Sequence, residues 1–497
     1  LLKSLPGVAV EIRSEVADGA GNVTLEGVVV ALKLPGGDAD SGNRLTIDRI
    51  EAQGFDADAV ARVFDAARYG DTPDETFRPL ARQLTLTGTR LTVRGAQMLS
   101  LATWTLENWE MKPFGFRPGG PNFFAQFRPV ELGIAQIWGH VVDSLRLDAV
   151  DAREIHFALN PRAPTAGTPP AGGVADAEAL TYDIAVLHLS GVDRGRFGRV
   201  TFAGMVSTQT ETPIGTMTTR AREGFGEGAD ISAALPALLL GEWPPVTRTP
   251  LIDIGESCAL DYTIEIPRVG VFAFPRACTA AIPFVWLVPA RLAFDWAGTF
   301  SPAPAGTLLA PNYVARFFTR PLDISVQFEA AYEPDSGVAT LAHYRFRMAE
   351  FGTIDLKASM GGLQLDTLRQ LYFTFQDRLS LVSGEIELID EGGVQKILEI
   401  AAGVMQDRGA SAEMLKAETL KYQAMTGINM MVGVMGNTPT AAAFGQALRD
   451  FLDKGGRVVA GVRPRRPMIG ADFQSLPGKP PGEITDLVGL YAEWTPP

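Results

Sequence analysis

Apolar residues at relative positions 0, 2, 5 and 7 recur along the first part of the chain. They occur as Val23, Leu25, Val28 and Val30, as Leu45, Ile47, Ile50 and Ala52, and as Leu99, Leu101, Trp104 and Leu106. Leu145, Leu147, Val150 and Ala152 give a further copy, and Leu84, Leu86, Thr89 and Leu91 a weaker one. Alternation by two marks a strand with one apolar face. The jump of three changes the parity, so each strand must carry a bulge or a one-residue kink that twists and curves the sheet. The copies are unevenly spaced, which excludes a fixed-period solenoid. Between them, Asp56 to Tyr69 has helical spacing (Val60, Val63, Phe64, Ala67) and predicts a short amphipathic helix.

Later segments follow the same grammar with different punctuation. Asn160 to Ala175 is rich in Pro, Gly, Ala and Thr and reads as a linker or long loop. Strands resume from Leu180 to Met205. Gly224 to Pro250 reads as irregular, with a short apolar run, Ile231 to Leu240, suited to a helix. Ile324, Val326, Phe328, Ala330 and Tyr332 alternate, Pro334 to Gly337 turns, and Ala342, Tyr344 and Phe346 lie on the returning strand; Ile354, Leu356, Ala358 and Met360 supply a third. The C-terminal part changes character. Val394 to Arg408 is helical in period, Ser411 is placed to cap a second helix reaching past Tyr422, and a third runs from about Thr440 to Lys454 before Gly455. Arg457 to Val462 is strand-like and a proline-rich tail follows. The expected fold is mainly β, of long curved and twisted antiparallel sheets with a C-terminal helical insertion. Its parts are 1–159, an N-terminal β region with a helical insert; 176–390, a central β region; and 391–497, a helical subdomain with a terminal strand.

Cys258 and Cys278 flank a hairpin. Leu260, Tyr262, Ile264 and Ile266 alternate on one arm, and Phe272 and Phe274 on the other. A three-residue loop, Pro267-Arg268-Val269, pairs Ile266 with Gly270 and Ile264 with Phe272. Continued, that register sets Cys258 opposite Cys278, at the separation a disulfide needs. The alternative is two buried thiols. A disulfide implies an oxidising compartment.

Composition narrows the partners. A net charge of −13 disfavours nucleic acid and loose adsorption on an anionic bilayer. The chain begins at Leu1 and not at Met, so an upstream segment, a signal peptide or membrane anchor, is expected. The longest uncharged run, Tyr422 to Leu448, contains Gln423, Asn429, Asn437 and Pro439 and is too polar to span a bilayer. Within it, Met425, Ile428, Met430, Met431 and Met435 read foremost as a core-facing helix and secondarily as an adaptable contact surface.

Catalytic chemistry finds no foothold. Asp40-Ser41-Gly42 and Asp335-Ser336-Gly337 could mimic the paired carboxylates of an aspartic protease, but both have polar, turn-like flanks. His140, His156, His188 and His343 lack metal-type spacing. Nucleophile elbow, phosphate loop, zincin and dinucleotide motifs are missing from the sequence. No enzyme activity, cofactor or metal is expected.

The repeated Leu-x-Leu-x-x-Val/Ile-x-Ala pattern with inserted helices resembles the AsmA-like and YdgA-like envelope proteins of Gram-negative bacteria. The run from Gly384 to Arg466 is similar to the tail of alphaproteobacterial proteins of this sort, with a strand at Glu385-Ile386-Glu387-Leu388, helices, and a strand leading to Arg-Pro. The resemblance implies a periplasmic protein anchored in the inner membrane, with a long sheet whose apolar face holds lipid. Its partners would be lipid or envelope proteins. The cysteine pair and long inserts depart from the pattern. The lining of such a face is expected from Leu99, Leu101, Trp104, Phe328, Tyr344 and Phe346. In a non-catalytic structural or interaction protein with a closed core, the same residues would be buried.

Overall fold

A computed structural model describes residues 8–32, 43–64, 74–93, 95–113, 130–159, 180–212, 215–267, 269–286, 288–303, 320–365, 379–407 and 416–497. The linker segment Asn160 to Ala175, the triplet Asp40-Ser41-Gly42, Ser411 and Arg268 lie outside the described residues. The fold is mainly β and antiparallel, with helices gathered near the C-terminus. It divides into two compact units, Leu1–Pro245 with Leu251–Ile264, and Val246–Pro250 with Glu265–Pro497.

In the first unit β1 (Val8–Glu11) and β2 (Ser14–Ala17) both pair with β3 (Val23–Leu32). From there β4 (Arg44–Gln53), β5 (Arg78–Val93), β6 (Ala96–Met111), β7 (Leu145–Leu159), β8 (Leu180–Asp193), β9 (Arg196–Thr212) and β10 (Gly215–Asp230) add one by one, each beside the strand before it. β11 (Ile252–Asp253) and β12 (Glu256–Ile266) flank β10. Helix α1 (Ala57–Phe64) falls where helical spacing predicts it, and Asp56 caps it by accepting from the Ala59 amide at 2.8 Å. Its buried Ala59 and Val63 pack on Leu80 and Met111.

The parity change has a definite structural cause. Glu26 pairs with Arg49 and Val28 with Ile47, so Gly27 faces Asp48. The same line continues through Gly88, Ala102, Glu154, Ala185, Gly204 and Arg222. A second line, six residues away on each strand, runs Gly21, Gly54, Arg82, Asn108, Asp148, Gly191, Gly198, Gly228. Left-handed backbone alternates along the first line, at Gly27, Gly88, Glu154 and Gly204, and along the second from Gly54 through Asn108 and Gly191 to Gly228; at the start of the second line Gly21 and Gly54 face each other, both left-handed. Across both lines the registers stay constant, so these are matched kinks and not one-sided bulges. Both neighbouring strands switch parity together, and the apolar set stays on one face. Side chains from the ordinary strand cross the left-handed position of its neighbour. A Cβ on Gly88 would sit 2.0 Å from the Asp48 carboxylate, and one on Gly54 would sit 2.7 Å from Arg82 Nε.

Helix α2 (Val130–Asp143), which strand-like β-branched residues conceal in the sequence, packs with the short α3 (Leu235–Leu239). Gln136 donates to the Leu239 carbonyl at 2.9 Å. Of the stretch Gly224 to Pro250, the part after Asp230 is irregular with a short helix at Leu235–Leu239, as expected, but its start is not. Strand β10 runs through it to Asp230, because Gly224 lies where Phe202 and the Cys258 carbonyl leave no room for a side chain.

In the second unit β13 (Gly270–Thr279) pairs with β16 (Arg291–Pro302), with β14 (Pro283–Val285) and β15 (Val288–Pro289) as a small hairpin between them in sequence. Then β17 (Leu322–Glu333), β18 (Val338–Met348), β19 (Gly352–Gly361) and β20 (Ser380–Asp390) form the meander. Strand β12 ends at Ile266 and β13 starts at Gly270, the three-residue loop expected, and the Val269 amide donates to the Ile266 carbonyl. Cys258 and Cys278, the two cysteines of the chain, are disulfide-bonded.

Helices α4 (Gly393–Asp407), α5 (Ala417–Val434) and α6 (Pro439–Lys454) follow, then β21 (Arg457–Val462) beside β20. The tail is more than proline-rich coil. It contains β22 (Met468–Ile469), α7 (Gly470–Ser475), α8 (Pro481–Val488) and β23 (Leu490–Thr495), which pairs with β21. Pro481 sits in the first turn of α8, where a missing N–H costs nothing. The methionine helix α5 is not core-facing as expected. Leu420 and Val432 are buried, but Tyr422 is 72%, Met430 68% and Val434 77% exposed.

Gly88→Ala should destabilise the first unit more than Gly95→Ala, by about 1–2 kcal/mol in urea titrations. Both residues are left-handed, but a Cβ on Gly95 meets nothing within 4 Å. Equal effects would refute the crossing role of Asp48. Replacing both cysteines by alanine should lower stability by about 3 kcal/mol, seen as a lower urea midpoint under oxidising conditions only.

Candidate functional site

Strand registers assemble two apolar rows on one face of the second unit. Phe294, Phe328, Tyr344, Leu356, Ile386 and Ala460 oppose one another across β16 to β21. Beside them run Trp296, Val326, Phe346, Ile354, Leu388 and Val458. The rings of Phe294 and Phe328 stack at 5.3 Å, and Tyr344 meets Phe328 edge-on at 6.3 Å. At one end α6 packs on β21 and β23, and there the face is buried: Val458 is 1% and Ala460 6% exposed. Toward the middle it opens. Tyr344 is 41%, Ile354 44% and Ile386 36% exposed. At the far end Val285, Trp286 and Tyr332 form a buried cluster with Ala339 and Leu363.

The opposite face is charged, its cationic side chains part-exposed over buried or part-buried carboxylates. Asp355 is fully buried, holding His343 Nδ1 at 3.0 Å and Arg345 at 2.8 Å. Lys357 and the Tyr491 hydroxyl both donate to Glu385, at 3.0 and 2.6 Å, and Arg457 binds Glu387. Burial, reinforced by the Glu385 carboxylate, pushes the Tyr491 phenol up to about 12. Glu385 is held below the usual carboxylate range by hydrogen bonds from Tyr491 and Lys357. These neighbours shield one another, so carboxylates are buried on one face while aromatic and aliphatic groups meet solvent on the other.

In the first unit Leu99, Leu101 and Trp104 lie on β6, brought to one face by the kink at Ala102. Trp104 pairs with Leu86 and Ala152, and Leu99 with Leu91 and Phe157. All three are half-buried, and Trp104 packs against the buried Leu106, Leu147, Val150 and Val192. Phe328, Tyr344 and Phe346 belong to the open rows of the second unit.

Sequence reasoning missed a polar cavity of about 420 Å³ in the first unit, lined among others by Asp143, Arg146, Asp193, Arg194, Arg196 and Leu235. Asp143 is 6% exposed and binds Lys112 Nζ at 2.5 Å and Arg194 at 2.8 Å. Burial alone would raise the Asp143 carboxyl; hydrogen bonds from Lys112 and Arg194 outweigh it and hold it below 3.8. Every arginine of the cavity faces a carboxylate: Arg146 meets Asp193 at 2.7 Å and Arg196 meets Asp230 at 3.4 Å. The charges balance locally, as in a structural network. No signal in the sequence joins Lys112, Asp143 and Arg194.

Three histidines lie in strands beside aspartates: His156 with Asp183 at 2.7 Å, His188 with Asp151 at 2.9 Å, and His343 with Asp355. His140, on α2, is held below its ordinary value mainly by burial. Among the described residues no three His, Cys, Asp or Glu are placed to hold a metal ion. Asp335-Ser336-Gly337 forms the exposed turn between β17 and β18, with Gly337 at φ +65°. Among the described residues no helix is long and apolar enough to cross a membrane.

A family described as "Uncharacterized protein" matches residues 345–493, which span most of β18 to β23. No curated protein and no solved structure matches the chain.

Asp143→Asn should cost about 3 kcal/mol at neutral pH, because Lys112 and Arg194 lose their shared counter-charge. The folded carboxyl lies below its unfolded value, so its contribution is present above about pH 4 and fades as pH falls through the folded value. Urea midpoints of wild type and variant should therefore converge in acid; a gap that is independent of pH would contradict the assignment.

Proposed function

We propose that this chain is a lipid-binding protein of the bacterial cell envelope that holds acyl chains on an open apolar β face. One observation carries the reading: Tyr344, Ile354 and Ile386, neighbours across β18 to β20, are each more than a third exposed, while Asp355 on the reverse face is fully buried. A sheet that exposes contiguous aromatic and aliphatic rows offers them to an apolar ligand or partner. In a closed-core structural protein these rows would be covered, and their exposure favours the lipid reading. The disulfide suits the periplasm, where such bonds persist. The resemblance to AsmA-like and YdgA-like proteins adds an inner-membrane anchor upstream of Leu1. The role is non-catalytic: the face presents hydrocarbon and rings, and its chemistry is that of shelter and transfer.

Tyr344→Asp with Ile354→Glu tests it. Both side chains are already part-exposed, so the fold should persist, while uptake of a fluorescent acyl probe should fall about tenfold or more. Native mass spectrometry of the gently extracted wild-type protein should show bound lipid. A wild-type protein that carries no lipid and takes up no probe would sink the proposal.

A further inference from the structure

The charged face of the second unit holds a cavity of about 210 Å³, set over β18, β19, β20 and β23, and Lys357, Glu385, Arg463 and Tyr491 line it together. Register explains how these groups meet. Glu385 pairs with Gly461 and Gly461 with Tyr491, so the tyrosine must cross a strand to reach the carboxylate. Gly461 leaves room for the crossing: a Cβ there would sit 2.9 Å from the Tyr491 hydroxyl and 3.0 Å from its ring. The Tyr491 hydroxyl and Lys357 Nζ then both donate to Glu385, and the Arg463 guanidinium lies 5.4 Å from the centre of the Tyr491 ring.

The cations of this face are not equally committed. Lys357 and Arg457 have carboxylates of their own in Glu385 and Glu387, whereas among the described residues no carboxylate forms an ion pair with Arg463. A guanidinium in that position offers a planar fork of donors matched to an oxyanion. The hydroxyls of Thr340, Ser359 and Ser383 line the same cavity and can donate to further oxygens.

Glu385 decides which oxyanion. Hydrogen bonds from Tyr491 and Lys357 hold it below the usual carboxylate range, so it is ionised at neutral pH. A fully deprotonated anion beside it would meet like charge, and an acceptor where it needs a donor. An anion that keeps an O–H avoids the conflict. It can give that hydrogen to a lone pair of Glu385 that Tyr491 and Lys357 leave unused, while its other oxygens accept from Arg463. Inorganic phosphate carries such a hydrogen near neutral pH, and sulfate carries none.

We infer that this cavity binds inorganic phosphate, with Arg463 anchoring the charge and Glu385 accepting the hydrogen. The site lies on the reverse of the sheet from the apolar rows, so it stands whether or not lipid binds there. Calorimetry on the full chain with sodium phosphate and sodium sulfate, at neutral pH and matched ionic strength, tests it. Wild type should bind phosphate about tenfold more tightly than sulfate. Arg463→Gln, at an exposed position, should weaken phosphate binding about tenfold or more. Glu385→Gln should abolish the preference, since its amide can donate to sulfate. Wild type that binds neither anion, or binds both alike, would overturn the inference. So would phosphate binding that Arg463→Gln leaves unchanged, or a preference that survives Glu385→Gln. The wild-type comparison holds however well either variant folds.

Discussion

The first unit depends on a constraint of parity. A strand can present its apolar residues to one side only while strict alternation lasts, and here alternation breaks inside each strand from β3 to β10. If one strand switched alone, its neighbour's side chains would face the wrong way from that point onward. The break is therefore shared: a left-handed residue on one strand faces an ordinary residue on the next, and the register stays constant on both sides. Asp48 lying over Gly88, and Arg82 over Gly54, show how closely the two partners are fitted. Glycine is not obligatory at these positions, since Asn108 and Glu154 take the same conformation. Asn108 does so while donating to Asp148 on the facing strand at 2.6 Å.

The second unit distributes its polar and apolar groups unusually. Buried carboxylates are tolerated when each has compensating donors, and Asp355, Glu385 and Glu387 have them from adjacent strands. Cross-strand pairing of this kind needs no second layer, because each long side chain covers its neighbour. The apolar rows have no such self-sufficiency. Aliphatic groups are satisfied only by excluding water, and α6 does that for Val458 and Ala460 but not for Tyr344 or Ile354. What remains is an apolar surface part-open to solvent, with a buried cluster at its far end.

Much of this was legible in the chain. The 0-2-5-7 pattern announced strands with a parity break, because alternation is a local property. That the breaks align across eight strands was not legible, since alignment depends on connection lengths, and left-handed Glu154 carries no compositional mark. Helix α2 was hidden by Val130, Ile134, Ile137, Val141 and Val142, residues whose intrinsic preference is for strands; its packing on α3 prevails. The last strand was hidden behind prolines that serve to start a helix. Phe328, Tyr344 and Phe346 could be picked out by alternation, yet their exposure could not, as an open face and a closed core use the same residues. The Lys112–Asp143–Arg194 network depends on groups far apart in sequence and leaves no local trace.

The alternation of the kinks also says how such a sheet could change its length. From β4 to β10 left-handed residues fall on the odd strands along one line and on the even strands along the other, so the smallest unit that repeats faithfully there is a hairpin, not a strand. Duplicating a hairpin would extend both lines without conflict. Inserting a single strand would place two left-handed residues face to face, an arrangement the second line shows where both are glycine, at Gly21 and Gly54. A sheet of this construction has a natural step size of two in its evolution.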